Sequence, residues 1–283
     1  MSFDPNAVGS FAVVDGARMH YRKLGSGPPL LLIHGMVSSS AAWHMNLQAL
    51  AAESTVYAVD LMGLGFSDRV PGQAASISAV AQRMFTFMDA VGLDCADVIA
   101  HSQGGAIALK MAGMHPERIA ALVLVSPANP DSHGSDFLIS FYRSRIGSMV
   151  ARLSPRFPRW MRTFALKRMF GNTDRMPPNS LECHTVGLRT PGTVEHVLRT
   201  LETWHDDMEA LRADIRSIAE RRVLLIWGDR DLAVSVESAE LLHSALHKSE
   251  LSIYEGVGHI PYEESPERFN AEVSGWLRRS RTS

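Results

Sequence analysis

The chain has 283 residues, 46% of them hydrophobic and 20% charged, which suits one large core or a core plus a modest accessory unit. Its formal net charge of −2 argues against nucleic acid as the main partner, because phosphate binding needs a basic excess. No apolar stretch is long enough to span a bilayer, so no integral membrane association is expected.

The N-terminus, Met1-Ser2-Phe3-Asp4-Pro5-Asn6, has no basic region followed by an apolar core, so no signal peptide is read. Cys95 and Cys183 match no zinc or redox spacing. Reduced thiols in a cytoplasmic protein are expected, with one disulfide as the alternative. No metal and no cofactor are expected.

Phe11–Val14, a turn at Asp15-Gly16, and Arg18–Arg22 read as a β-hairpin. Leu30–Ile33 is a short, continuous apolar run suited to a strand buried on both faces. Serines 38–40 open a helix that carries Trp43, Leu47 and Leu50 on one stripe. Thr55–Val59 is a strand, and Ser76 to Val91 is an amphipathic helix closed by Gly92. A strand at Asp97–Ile99 leads into Ala100-His101-Ser102-Gln103-Gly104, followed by a helix that ends near Pro116. Ala121–Val125, Val223–Trp227 and Leu251–Tyr254 are the later strands, and a helix from Pro266 to Arg279 closes the chain. Strands alternating with helices imply a largely parallel sheet covered on both faces.

From about Asn129 to Trp204 strand-like runs vanish, and prolines, arginines, aromatics and short helical stripes replace them. Positions 129–200 hold 11 Lys/Arg against 5 Asp/Glu. Arginines lying along amphipathic helices account for this; attraction of an anionic substrate or a membrane surface is the sharper alternative.

Ser102 stands between a strand and a helix, where a tight elbow pushes its hydroxyl out of the sheet and aims the helix N-terminus at it. A serine hydroxyl needs an imidazole to take its proton. Of 12 histidines, His259 stands out, in a loop directly after the Leu251–Tyr254 strand. His101 adjoins the serine but should point away from it, while His115, His243 and His247 suit a helix end or a surface helix. The imidazole needs an orienting carboxylate. Asp231 is preferred, with Asp229 read as a turn residue and Asp131 as a third candidate.

Leu32-Ile33-His34-Gly35, Asp60-Leu61-Met62-Gly63-Leu64-Gly65-Phe66-Ser67, His101-Ser102-Gln103-Gly104-Gly105, Gly228-Asp229-Arg230-Asp231 and Gly258-His259 occur in an order that resembles the α/β-hydrolase superfamily. The chain departs from its commonest elbow at Ala100, where glycine is usual, an exchange some lipases of the family share. Gly63-Leu64-Gly65 mimics a dinucleotide loop, but Asp68 stands in place of its third glycine, so no nucleotide site is read.

The resemblance implies a mostly parallel eight-stranded sheet with a helical cap inserted after the sixth strand. The core is then 1–128 and 209–283, and the cap 129–208. It also implies Ser102 as nucleophile, His259 as proton shuttle and Asp231 as its orienter, with the Met36 and Gln103 N–H groups as oxyanion hole. His34 is read as bracing its loop and as a candidate pocket residue. Phe137, Phe141, Trp160, Phe164, Met169 and Trp204 are candidates to line an acyl pocket.

The expected activity is hydrolysis of a carboxylic ester, of the carboxylesterase type, on a small-molecule acyl substrate. The serine excludes the aspartate-nucleophile chemistry of similar dehalogenases and epoxide hydrolases. A carbon–carbon hydrolase of meta-cleavage type, a perhydrolase and an acyltransferase share the triad. The carbon–carbon hydrolases usually carry tryptophan where Ile260 stands. A non-catalytic ligand-binding homologue is the alternative from another class, although the triad is whole.

Overall fold

The computed structural model describes residues 4, 7, 9–132 and 136–281. Met1, Ser2, Phe3, Pro5 and Asn6, part of the stretch on which the missing signal peptide is read, lie outside them.

Eight strands form one sheet: β1 (Ser10–Val14), β2 (Ala17–Leu24), β3 (Pro29–Ile33), β4 (Thr55–Val59), β5 (Ala96–His101), β6 (Ile119–Val125), β7 (Val223–Gly228) and β8 (Ser249–Tyr254). Their spatial order is β1-β2-β4-β3-β5-β6-β7-β8. β1 and β2 are antiparallel, β2 meets β4 antiparallel, and every later pairing is parallel. The buried runs Leu30–Ile33 of β3, Val98–Ala100 of β5 and Val223–Trp227 of β7 are apolar on both faces because helices cover both sides.

On one face lie α2 (Ile77–Ala90) and α3 (Gln103–Met114), and the other is covered by α1 (Leu47–Ala51) and, later, α12 (Pro266–Arg281). Alternation along β3 divides the core: Leu31 and Ile33 pack with Phe87 and Met84 of α2, while Leu30 and Leu32 pack with Trp43, Phe269 and Trp276. Ser76 caps α2 by accepting from Ala79 N–H, as its sequence suggests.

The single helix expected after Ser38–Ser40 is broken. Ser39 caps a 3-10 turn at Ser40–Trp43 by accepting from Ala41 N–H, Asp60 takes the otherwise free Ser40 N–H, and α1 starts only at Leu47.

Between β6 and β7 the chain runs through α4 (Asp136–Arg143), α5 (Arg145–Leu153), α6 (Arg159–Lys167), α7 (Ser180–Thr185), α8 (Thr193–Glu202) and α9 (Trp204–Ser217). The expected boundary at 208/209 falls inside α9. That helix is continuous and lies along α3, where Lys110 pairs with Asp214 at 2.9 Å and Met208 and Leu211 enter the main core. The chain then forms α10 (Val236–Ala245), α11 (Pro261–Glu264) and α12.

Candidate active site

Parallel sheets place their functional loops at the carboxyl ends of the strands. Here β3 leads to Met36, β5 to Ser102, β7 to Asp231 and β8 to His259. A cavity of about 450 Å³ lies over this edge, a volume suited to a small molecule. Ser102, Gln103, Met36 and His259 line its floor, and Ile139, Tyr142, Leu166 and Leu181 from α4, α6 and α7 contribute its roof.

Ser102 has φ 53° and ψ −120°, a conformation that costs a non-glycine residue about 1–3 kcal/mol. The surroundings enforce it. Ser102 N–H donates to Val125 at 3.0 Å, and Ser102 O accepts from Gly105, Ala106 and Ala128. A Cβ at Gly104 would stand 2.6 Å from the His34 carbonyl, so the elbow needs glycine there to press helix against strand. Among the described residues Ser102 Oγ makes no hydrogen bond.

Asp231 Oδ2 lies 2.7 Å from His259 Nδ1. Asp231 Oδ1 accepts from the N–H groups of Ala233 and Val234 at 2.8 and 2.9 Å, which fixes the carboxylate. The other acids are engaged elsewhere: Asp229 accepts from Gly256 N–H, and Asp131 pairs with Arg212 at 2.9 Å.

His259 is held at its backbone too, donating to the Met169 carbonyl at 2.7 Å. His101 Nε2 lies 2.9 Å from the His259 carbonyl. Burial, reinforced by the neighbouring His259, holds the His101 imidazole well below the usual histidine range. His101 is therefore a neutral brace.

The Met36 and Gln103 N–H groups are uncommitted among the described hydrogen bonds, the latter because a first-turn helix N–H has no intrahelical acceptor. The loop carrying Met36 is tied down by Asp60, which accepts from Ser40 N–H at 2.5 Å and Phe66 N–H at 2.8 Å and lies 2.8 Å from His20. Burial pushes the Asp60 carboxyl upward, but the His20 hydrogen bond, the nearby imidazoles and Phe66 N–H together hold it below its ordinary range.

The expected pocket residues divide. Trp204 and Met169 line the cavity. His34 does not: its Nδ1 lies 2.7 Å from the Gly35 carbonyl and its Nε2 accepts from Leu61 N–H, so it braces two loops. Phe141 stacks edge-on against Tyr142, which lines the cavity in its place. Phe137, Trp160 and Phe164 face outward, because their helices turn the neighbouring Leu138, Arg162 and Ala165 to the cavity instead.

Sequence reasoning missed a second polar array on the same cavity. Ser38 Oγ lies 3.0 Å from His184 Nδ1, and His184 Nε2 lies 3.2 Å from Glu263 Oε1. Ser180 Oγ donates to Glu263, and His44 lies 3.5 Å from it. Ser38, His184 and Arg162 all reach the cavity. The Ser38–His184 contact spans 146 positions and gives no local signal, although Ser38 stands beside the His34-Gly35 block and Glu263 just after Gly258-His259.

Comparison with known proteins agrees with this architecture. The profile of the alpha/beta hydrolase fold family matches residues 28–266, and the chain belongs to that family. It is 26% identical to a 2-hydroxymuconate semialdehyde hydrolase from Pseudomonas sp. strain CF600, over 95% of this chain and 94% of the relative. It is 25% identical to a pimeloyl-[acyl-carrier protein] methyl ester esterase from Nitrosomonas europaea, over 89% and 97%. The solved meta-cleavage product hydrolase from Pseudomonas fluorescens IP01 shares the fold, with a TM-score of 0.80 at 22% identity over 96% of this chain and 98% of that one. The family's members include esterases and carbon–carbon hydrolases, and no helix among the described residues is long and apolar enough to cross a membrane.

Proposed function

We propose that the protein is a serine hydrolase that cleaves the carboxylic ester of a small acyl substrate through an acyl-enzyme. The observation that carries this reading is the 2.7 Å His259–Asp231 pair on the same cavity as a strained, unbonded Ser102. In this reading Ser102 Oγ attacks the ester carbonyl carbon while His259 Nε2 takes its proton. Asp231 holds Nδ1–H and stabilises the imidazolium. The negative charge that develops on the carbonyl oxygen is met by the Met36 and Gln103 N–H groups, each worth about 10²–10³ in rate. Collapse breaks the ester C–O bond, and His259 returns the proton to the departing alcohol. Water then repeats the cycle on the acyl-serine. Helices α4–α8 act as the cap, and α9 belongs with the core. Two unpaired thiols fit the reducing cytoplasm.

A carbon–carbon bond hydrolase is the second reading. The likeness to the semialdehyde hydrolase along nearly both whole chains favours it, as do Ser38, His184 and Arg162, which offer polar groups to an oxygen-rich substrate. Ile260 after the histidine weighs against it.

Labelling with a fluorophosphonate followed by peptide mapping tests the common core of both. The adduct is expected on Ser102; an unlabelled Ser102 in folded protein overturns both. A panel of esters and dienoates, run beside Ser102→Ala, separates them.

A further inference from the structure

Helices α4 to α6 carry a surface that the catalytic reading leaves unexplained. Residues 136–168 hold eight Lys/Arg and one Asp/Glu, leaving 20 Lys/Arg against 29 Asp/Glu for the rest of the chain. The molecule is therefore electrically polarised, with its positive end on this segment. The same helices expose large apolar side chains: Phe137 is 81% exposed, Trp160 70%, Ile146 67% and Phe164 62%. Such side chains normally face a core, and clustered exposure marks an interaction site.

The placement of these groups narrows the partner. Leu138 and Ala165, which adjoin Phe137 and Phe164 in sequence, line the cavity over Ser102, so the exposed aromatics stand beside an apolar opening. Trp160 and Phe164 are four apart on α6 and share one face. A groove of about 590 Å³ beside α5 gathers Arg152, Arg156 and Arg189, with Glu195 as its acid. Arg143, Arg145, Lys167 and Arg168 have no carboxylate within 4 Å among the described ion pairs. A second copy of this chain would set positive surface against positive surface. An anionic bilayer offers what the segment lacks, negative charge at one depth and apolar chains just beneath it.

We propose that α4–α6 form a peripheral docking surface for anionic phospholipid bilayers. Trp160, Phe164, Phe137 and Ile146 enter the headgroup boundary, the arginines meet the phosphates, and the cavity mouth faces the bilayer. Amphiphilic molecules then reach the cavity without crossing bulk water. This proposal does not depend on the reaction catalysed at Ser102.

Co-sedimentation of the intact protein with vesicles tests it, comparing phosphatidylcholine alone with a mixture containing phosphatidylglycerol. Binding to the anionic vesicles is expected to exceed that to the neutral ones by at least about tenfold at 0.1 M salt and to collapse at 1 M, where screening acts over about 3 Å. Each basic residue near such a surface contributes roughly fivefold, so Arg143→Glu with Arg145→Glu should weaken binding by at least about 25-fold. Ile146→Ser with Trp160→Ser should weaken binding even to anionic vesicles while leaving hydrolysis of a soluble short-chain ester unchanged, because neither side chain lines the cavity. Equal or absent binding to both vesicle types overturns the proposal. So does a concentration-dependent dimer in sedimentation equilibrium that the Ile146/Trp160 double variant dissolves, since the surface is then occupied by a second copy.

Discussion

Two serine–histidine–acid arrays reach one cavity, and their residue types are nearly the same. Ser102, His259 and Asp231 rise from the strand ends of the core, whereas Ser38, His184 and Glu263 join the loop after β3 to α7 and α11. What separates them is backbone. Ser102 is strained, and among the described residues its hydroxyl is unbonded and Gln103 N–H beside it is uncommitted. Near Ser38, Ser40 N–H is used by Asp60 and Ala41 N–H by Ser39 Oγ. Ser38 Oγ is itself engaged with His184. With its hydroxyl already engaged and no strand-to-helix elbow beneath it, the second array reads as a clasp between the loop after β3 and the insertion.

The sharpest way to break this contrast is to remove each serine. Ser102→Ala should lower kcat for a short-chain ester by about 10⁴–10⁶, whereas Ser38→Ala should cost less than about tenfold because it only loosens a loop. Comparable losses would make the clasp a second catalytic centre. The acids give the next test. Asp231→Asn keeps the oxygen that Ala233 and Val234 hold but presents the wrong tautomer partner, so kcat should fall about 10⁴-fold with little change in melting temperature. Glu263→Gln should do the reverse, sparing kcat within about tenfold and destabilising the fold by about 1–3 kcal/mol as the Ser180 hydrogen bond and the carboxylate beside buried His184 and His44 are disturbed.

A third test uses pH to separate the insertion from the core. His196 on α8 packs against Gly63 of the core, and burial first, then Arg199, Arg83 and Arg69, holds its imidazole down at about 4 from an ordinary 6.5. Below 6.5 the unfolded chain protonates this residue while the folded chain does not. Stability should therefore fall by about 3 kcal/mol between pH 6.5 and 4, with no further contribution from this residue below that. Melting temperatures across this range, compared between the parent and His196→Gln, read the slope, which the substitution should flatten. An unchanged slope would locate the acid sensitivity elsewhere. The smallest expected effects mark the outer face of the insertion: Trp160→Ala should change stability by less than about 0.5 kcal/mol. The same change at buried Trp204 should cost about 3 kcal/mol in a denaturant titration.

Much of the core was legible in the sequence because it is written locally. The Leu30–Ile33 and Val223–Trp227 runs are short and continuous, as buried parallel strands must be, and Ser76 and Gly92 bracket α2. The candidate triad was legible because each member follows its own strand by one to a few residues. The helical insertion was legible only as a change of composition. Its short amphipathic helices carry apolar residues on faces that cannot be assigned without the packing. Aromatic residue type suggested a pocket at Phe137, Phe141 and Trp160, while Leu138, Tyr142 and Arg162 line it. The boundary inside α9 was hidden for a similar reason, since the 2.9 Å Lys110–Asp214 pair spans 104 residues. Serines 38–40 do open a helical turn, capped by Ser39, but the break between Trp43 and Leu47 left no mark in the sequence.

The stitching around Glu264 has a consequence for anyone recombining this chain. Its carboxylate accepts from Gly258 N–H in the histidine loop and from Gly171 and Asn172 N–H in the insertion, while Met169 O accepts from His259 N–H. Residues 169–172 thus behave as a detached piece of the core carried on the roof. A chimera that exchanges the whole segment between β6 and β7 would remove the splint that holds His259. Exchanges confined to α4–α6 would leave it in place, so the cavity roof can be varied without disturbing the histidine loop on one side of Met169 and not on the other.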